Sequence, residues 1–199
     1  MIEKAVDVSA PVHELISSRW SGVSYDAERD VSNDDLRAMA EAARWAPSCF
    51  GDEPWRVLFC NKASDDSSWQ KAFECLSEGN QPWCQHAPVL VIICANTQFL
   101  HNDKPNGWCE YDTGAAALSI CLQARQLGMM THQMAGFDPE AAKTMFAIPE
   151  RIKPIAMMTI GYQVSEDNIP DQFRDRELAP RKRNALGEHF FLGGWGEGI

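Results

Sequence analysis

No uninterrupted apolar run in this chain is longer than Pro88–Ala95, far short of the roughly 20 residues a membrane-spanning helix needs. No Cys-x-x-Cys pair occurs among Cys49, Cys60, Cys75, Cys84, Cys94, Cys109 and Cys121. Cys60, Cys94 and Cys121 lie inside apolar runs and read as small buried hydrophobes of a reducing compartment, so neither disulfides nor structural zinc is expected. His13, His86, His101, His132 and His189 form no His-Glu-x-x-His pattern, and no metal site is expected. A Gly-x-Gly-x-x-Gly fingerprint is also missing, which argues against a Rossmann dinucleotide domain. Basic residues are scarce: 18 Lys and Arg stand against 28 Asp and Glu, a formal charge of -10. That balance opposes a nucleic-acid backbone as partner. Met1 to Ala10 carries Glu3 and Asp7 rather than a basic and apolar signal pattern, so a cytoplasmic location is expected.

What is present describes a globular chain, 45% hydrophobic and 23% charged, expected to form a single domain over residues 1–199. Val31 to Ala46 predicts a helix: Ser32 is its N-cap, Val31 can staple to Leu36, and Leu36, Met39, Ala40 and Ala43 share a face until Pro47. Shorter helices are expected at Pro11–Ser18, at Ser68–Ser77 with Gly79 to end it, and at Glu140–Ala147 behind an Asp138 N-cap. Trp108–Gly128 predicts a long buried helix rich in small residues. Strands are expected at Val57–Cys60, Val89–Cys94, Met129–Ala135 and Ile155–Tyr162, with Asn80–His86 as a loop. Val89–Cys94 is apolar at every position and therefore central, covered on both faces. Alternating strands and helices argue one layered α/β or α+β domain.

Two features suggest chemistry. Trp45–Trp55 leaves the long capped helix through Pro47 and Pro54, and a loop so restrained holds its shape at lower entropic cost and can present N–H groups to a flat ligand; an ordinary connection is the alternative. Arginines stand out against the acidic background in Arg19-Trp20-Ser21 and in Arg181-Lys182-Arg183. A guanidinium beside a hydroxyl can hold a phosphate, although an exposed Arg beside a core Trp accounts better for the first triplet taken alone. The terminal stretch Phe190–Ile199 mixes Phe190, Phe191, Leu192 and Trp195 with glycines and is expected to lie on another surface, such as a partner subunit, or to close its own protomer's core.

Arg19-Trp20-Ser21, Ala46-Pro47-Ser48 through Pro54-Trp55, Gln133 to Phe137 and Arg181-Lys182-Arg183 together resemble the FMN-dependent nitroreductase family in order and spacing. The resemblance covers the chain from about Leu15 to the glycine-rich tail. It implies an α+β, three-layer fold with a central mixed, largely antiparallel sheet between helices, in a homodimer that exchanges its C-terminal tails and shares its flavin sites. By position, Arg19, Ser21, Arg181 and Arg183 would hold the FMN phosphate, with backbone contact from Trp20. Pro47, Ser48, Cys49 and Gly51 would reach the flavin from the partner chain. Asn80 would meet the polar edge of the ring, and Gln133, Met134 and Gly136 would lie along its face near N5. The implied activity is transfer of hydride from NADH or NADPH through FMN to a small electron-poor acceptor such as a nitroaromatic or a quinone. No side chain is implied as acid or base. A non-catalytic flavin-binding or storage protein of the same fold is the alternative, motivated by departures: Gly51 and Glu53 replace the usual loop Asn and Gln, Val23 and Trp83 stand where the family often has a cation, and Ala135 replaces an acidic residue.

Overall fold

The computed structural model describes residues 2–4 and 6–199. In chain order its elements are α1 (Glu14–Ser18), α2 (Asn33–Arg44), β1 (Trp55–Asn61), α3 (Asp66–Glu74), α4 (Gln81–Cys84), β2 (Val89–Asn96), α5 (Cys109–Gln126), β3 (Met130–Met134), α6 (Pro139–Phe146), β4 (Ile152–Gly161) and α7 (Asp171–Leu178). The four strands pair in the order β1-β2-β4-β3, every pair antiparallel. The fold is α+β and layered as expected, with no parallel pair among the described residues.

β2 lies inside the sheet and is buried at all eight positions, as its unbroken apolar run requires. Its side chains alternate between two cores. Val89, Val91 and Ile93 pack with Met39 and Ala43 of α2 and with Ala116, Ile120 and Ala124 of α5. Leu90, Ile92 and Cys94 pack on the other side with Trp69, Leu76, Trp83 and Met157. Ala116, Ala117 and Ala124 are the small residues that α5 buries in this core. Gly128, at φ 78, turns the chain from α5 into β3.

The caps follow local chemistry. Ser32 accepts from the Asp35 N–H and starts α2, and Asp138 accepts from Glu140 and Ala141 to start α6. Three expectations need correction. The Asn80–His86 segment contains a short helix, because Pro82 suits a first turn and Trp83 and Cys84 are drawn into the core. Gly79 does not cap α3, which ends at Cys75, where the chain must turn so that the Cys75 carbonyl can accept from the Asp138 N–H. The acidic run Asp167–Glu177 has more structure than its composition suggests: it holds α7, whose Glu177 is fully buried.

The C-terminal segment bends back on itself through a bridge between Phe191 and Gly198 and covers none of the protomer's core. Trp195 is 94% exposed. No helix of the described residues is long and apolar enough to cross a membrane.

Candidate functional site

Arg19 and Ser21 leave the end of α1 together, and the Arg19 guanidinium donates to the Ser21 hydroxyl at 3.3 Å. Folding carries the segment after α7 to the same place. Lys4, Arg19, Trp20, Ser21, Arg176, Pro180, Arg181 and Arg183 line one recess of about 260 Å³. The two arginine triplets, more than 160 residues apart, therefore line the same recess.

The cations in it do different work. Arg181 donates to the backbone carbonyls of Ser17 and of Arg19, the latter at 3.0 Å, and so ties the C-terminal segment to the turn after α1. Burial, with Arg19 and Arg183 nearby, holds its pKa below the usual value. Arg19 and Arg183 bond only locally, to Ser21 and to the Lys182 carbonyl, and keep guanidinium N–H groups for a ligand. Arg176 has no hydrogen bond or ion pair among the described residues, and its guanidinium lies 5.8 Å from the Trp83 ring.

Under the recess sits one carboxylate. Glu177 accepts from the Val23 N–H at 2.9 Å and from the Gln163 amide at 2.7 Å. Gly22 leaves it room, since a Cβ there would come within 2.6 Å of the Glu177 carboxylate and 2.4 Å of the Met130 sulfur. The anchored Gly22–Val23 backbone fixes where Ser21 stands.

From the recess a track runs along β3. The Gly22 carbonyl meets His132 Nδ1 at 2.9 Å, and the His132 ring packs on Trp83 at 4.6 Å between centroids. Burial lowers the His132 pKa, and nearby Arg176 and Arg19 lower it further against the Gly22 hydrogen bond, so the ring is held neutral. Gln133 then faces outward, whereas the Met134 side chain points into the core against Cys84; only the backbone of Met134 is available to a ligand. Past the strand, Asn80 donates to the Gly136 carbonyl at 2.9 Å. A Cβ at Gly136 would lie 2.6 Å from the Asn80 amide and 2.7 Å from the Ser77 hydroxyl, so glycine is required for this contact. From His132 to Gly136 the chain covers roughly 13 Å at strand rise. A cationic recess at one end and polar groups at the other fit a ligand with an anionic tail and a flat, polar-edged head.

The loop after α2 is rigid in a different way. Phe50, Gly51 and Glu53 all have positive φ, at 57°, 66° and 50°, and such residues persist only where the surroundings hold them. Here two buried aspartates do so. Asp112 accepts from the Cys49 N–H at 2.9 Å, and Asp52 accepts from the Leu100 N–H at 2.8 Å and faces the Asn106 amide at 3.4 Å. Ser48 accepts from the Glu53 N–H. Pro47 and Gly51 are exposed, Ser48 and Cys49 half-buried, and Phe50 projects 84% exposed.

This loop does not join the recess of its own protomer. Asp112 holds it at the N-terminal end of α5, while Arg125, near the other end, bonds Ser18 beside Arg19 at 2.9 Å. The thirteen helical steps from Asp112 to Arg125 separate the two features by about 20 Å along the helix. The expected cofactor residues thus fall into a recess, a β3 track and a distant loop.

Lys4, Arg176 and Glu177 were not expected. Arg176 and Glu177 lay in a run judged only by its acidity, where Arg174 and Arg176 were the available clue. For Lys4 no local signal existed.

Comparison with known proteins gives a consistent answer. A family model described as "Nitroreductase family" matches residues 16–162. A solved structure described as an oxidoreductase containing FMN superposes with a TM-score of 0.87 at 31% identity, covering 95% of both chains. A nitroreductase-like protein of Streptococcus mutans superposes with a TM-score of 0.72 at 21% identity, over 90% of this chain and 96% of its own, and shares the fold. A Streptomyces coelicolor protein named "Putative NADH dehydrogenase/NAD(P)H nitroreductase SCO7141" is 28% identical over 184 residues, 79% of this chain and 89% of its own.

Proposed function

This chain belongs to the nitroreductase family, and we propose that it is an FMN-dependent oxidoreductase working as a homodimer, with NADH or NADPH as electron donor and a small electron-poor molecule as acceptor. The observation that carries the reading is the recess. In a chain of net charge -10, Lys4, Arg19, Arg176, Arg181 and Arg183 converge on one hollow, which suits a phosphate dianion better than any neutral ligand.

Arg19, Ser21 and Arg183 hold the phosphate of FMN, and Arg181 keeps their two segments together. Asn80, Gln133, Gly136 and the Met134 backbone lie along the flavin ring. Bound FMN supplies the hydride acceptor for the nicotinamide and the donor to the second substrate. No side chain needs to move a proton in this arrangement. Neither Val23 nor Trp83 can carry charge, but Arg176 reaches the Trp83 ring from α7 and places a cation beside the track.

The loop of Pro47, Ser48, Cys49 and Gly51 serves the flavin site of the other protomer, because about 20 Å of α5 keeps it from its own. The exposed face of α5 supports such pairing. Trp108, Tyr111, Ala115, Leu118 and Leu122 follow each other at spacings of 3 and 4, the pattern of a helix-packing seam. Tyr111 is 77% exposed, as are the apolar groups of the tail, and such surface calls for a partner.

Two measurements test this. Purified protein is expected to be yellow, and its flavin absorbance to bleach when NADPH or NADH is added without air. Failure to bleach with either would remove the enzyme reading and leave the flavin-storage one. Leu118→Glu is expected to convert a dimer to a monomer on size exclusion and to weaken flavin binding with it. An unchanged dimer would show that the α5 seam is not the interface.

A further inference from the structure

Among the cations of the recess, Lys4 is the one brought from outside the arginine triplets and outside α7. It belongs to a short N-terminal segment pinned to the body by long-range bonds. The Ile2 N–H donates to the Gln163 side chain at 2.7 Å, and the Trp20 indole donates to the Ile2 carbonyl at 3.2 Å. The Lys4 ammonium donates to the Ala179 carbonyl at 2.9 Å and lies 4.0 Å above the Trp20 ring. One N–H of three is used, so two remain for a ligand. No ion pair among the described residues includes it.

We propose that Lys4 is a phosphate-holding residue of the flavin site, carried to the recess by the N-terminal segment. This rests on the assignment of FMN to the recess. Both anchors of the ammonium are themselves site components: Trp20 is flanked by Arg19 and Ser21, and Ala179 precedes Pro180 and Arg181 by one and two residues. Lys4 therefore bridges the two triplet segments that a phosphate must also bridge. Partial burial lowers the pKa of this ammonium, and Arg181 adds repulsion that Glu177 offsets. An arriving dianion supplies further opposite charge and favours the charged ammonium.

The test compares FMN with riboflavin, which has the same ring and lacks the phosphate. Flavin-free full-length protein is titrated with each and followed by quenching of flavin fluorescence. Lys4→Met is expected to weaken FMN about tenfold, the value of roughly one charge-assisted hydrogen bond at a partly exposed site, and to leave riboflavin unchanged. Lys4→Arg should restore most of the difference. In the wild-type protein, FMN but not riboflavin should slow trypsin cleavage after Lys4. Equal loss of both ligands in Lys4→Met would reduce Lys4 to a structural tie, and no loss of FMN would remove it from the site. Should wild-type protein bind riboflavin as tightly as FMN, the phosphate assignment of the whole recess falls, which is a different outcome from failure of Lys4 alone.

Discussion

Arg19→Ala combined with Arg183→Ala is expected to release FMN from a protein that still folds. Each guanidinium offers the phosphate a charge-assisted hydrogen bond, and such bonds are worth about 1.5–3 kcal/mol each. Arg183 is exposed and Arg19 partly so, and solvent screening moves the estimate to the low end. Together they account for about 3 kcal/mol, or roughly a hundredfold in Kd. The folded state loses little, because their own bonds are limited to Ser21 and Lys182. Arg181→Ala provides the contrast. It removes two bonds to the carbonyls of Ser17 and Arg19, so it lowers the melting temperature even without flavin. Measuring retained flavin and the apoprotein's melting temperature separates the two kinds of arginine. A double variant that stays yellow at micromolar concentration would refute the phosphate assignment.

Glu177→Ala is expected to be the most destabilising single change at this end of the fold. The side chain is fully buried, and removing it leaves the Val23 N–H and the Gln163 amide without their acceptor. An orphaned buried donor costs about 1–3 kcal/mol, and the emptied volume adds to it. A total of about 3–5 kcal/mol corresponds to a fall of roughly 6–20 °C in a chain of this size. Thermal unfolding of the flavin-free protein measures it directly. A fall of only a degree or two would mean that the Gly22–Val23 backbone is held by other contacts. Glu177 is also the lone carboxylate beneath five cations, so its loss leaves their mutual repulsion unopposed and adds to the cost.

Much of the fold was legible because its signals are local. Ser32 and Asp138 cap helices by bonding N–H groups two or three residues away, and the unbroken apolar run of β2 identified a strand covered on both sides. Where elements were misjudged, a distant contact had prevailed. α3 stops short of Gly79 because Cys75 must meet Asp138, and α4 forms because Trp83 and Cys84 have a core to enter. In the recess, residue types together with the family resemblance singled out Arg19, Ser21, Arg181 and Arg183, but did not separate Arg181, which braces two backbone carbonyls, from Arg19 and Arg183, whose bonds are local. That division depends on the geometry of carbonyls contributed by the far end of the chain.

The sequence by itself determined the family, the order of the strands and of the longer helices, the unusual arginines and the restrained loop, since each is expressed in neighbouring residues or in their spacing. Only the tertiary structure decided that Lys4 and Arg176 join the recess, that Arg181 is a brace, that Glu177 lies buried beneath them, and that the Pro47–Gly51 loop stands at the opposite end of α5 from the recess. Convergence of charge requires contacts between segments as distant as Lys4 and Ala179, and no local pattern encodes a contact of that range.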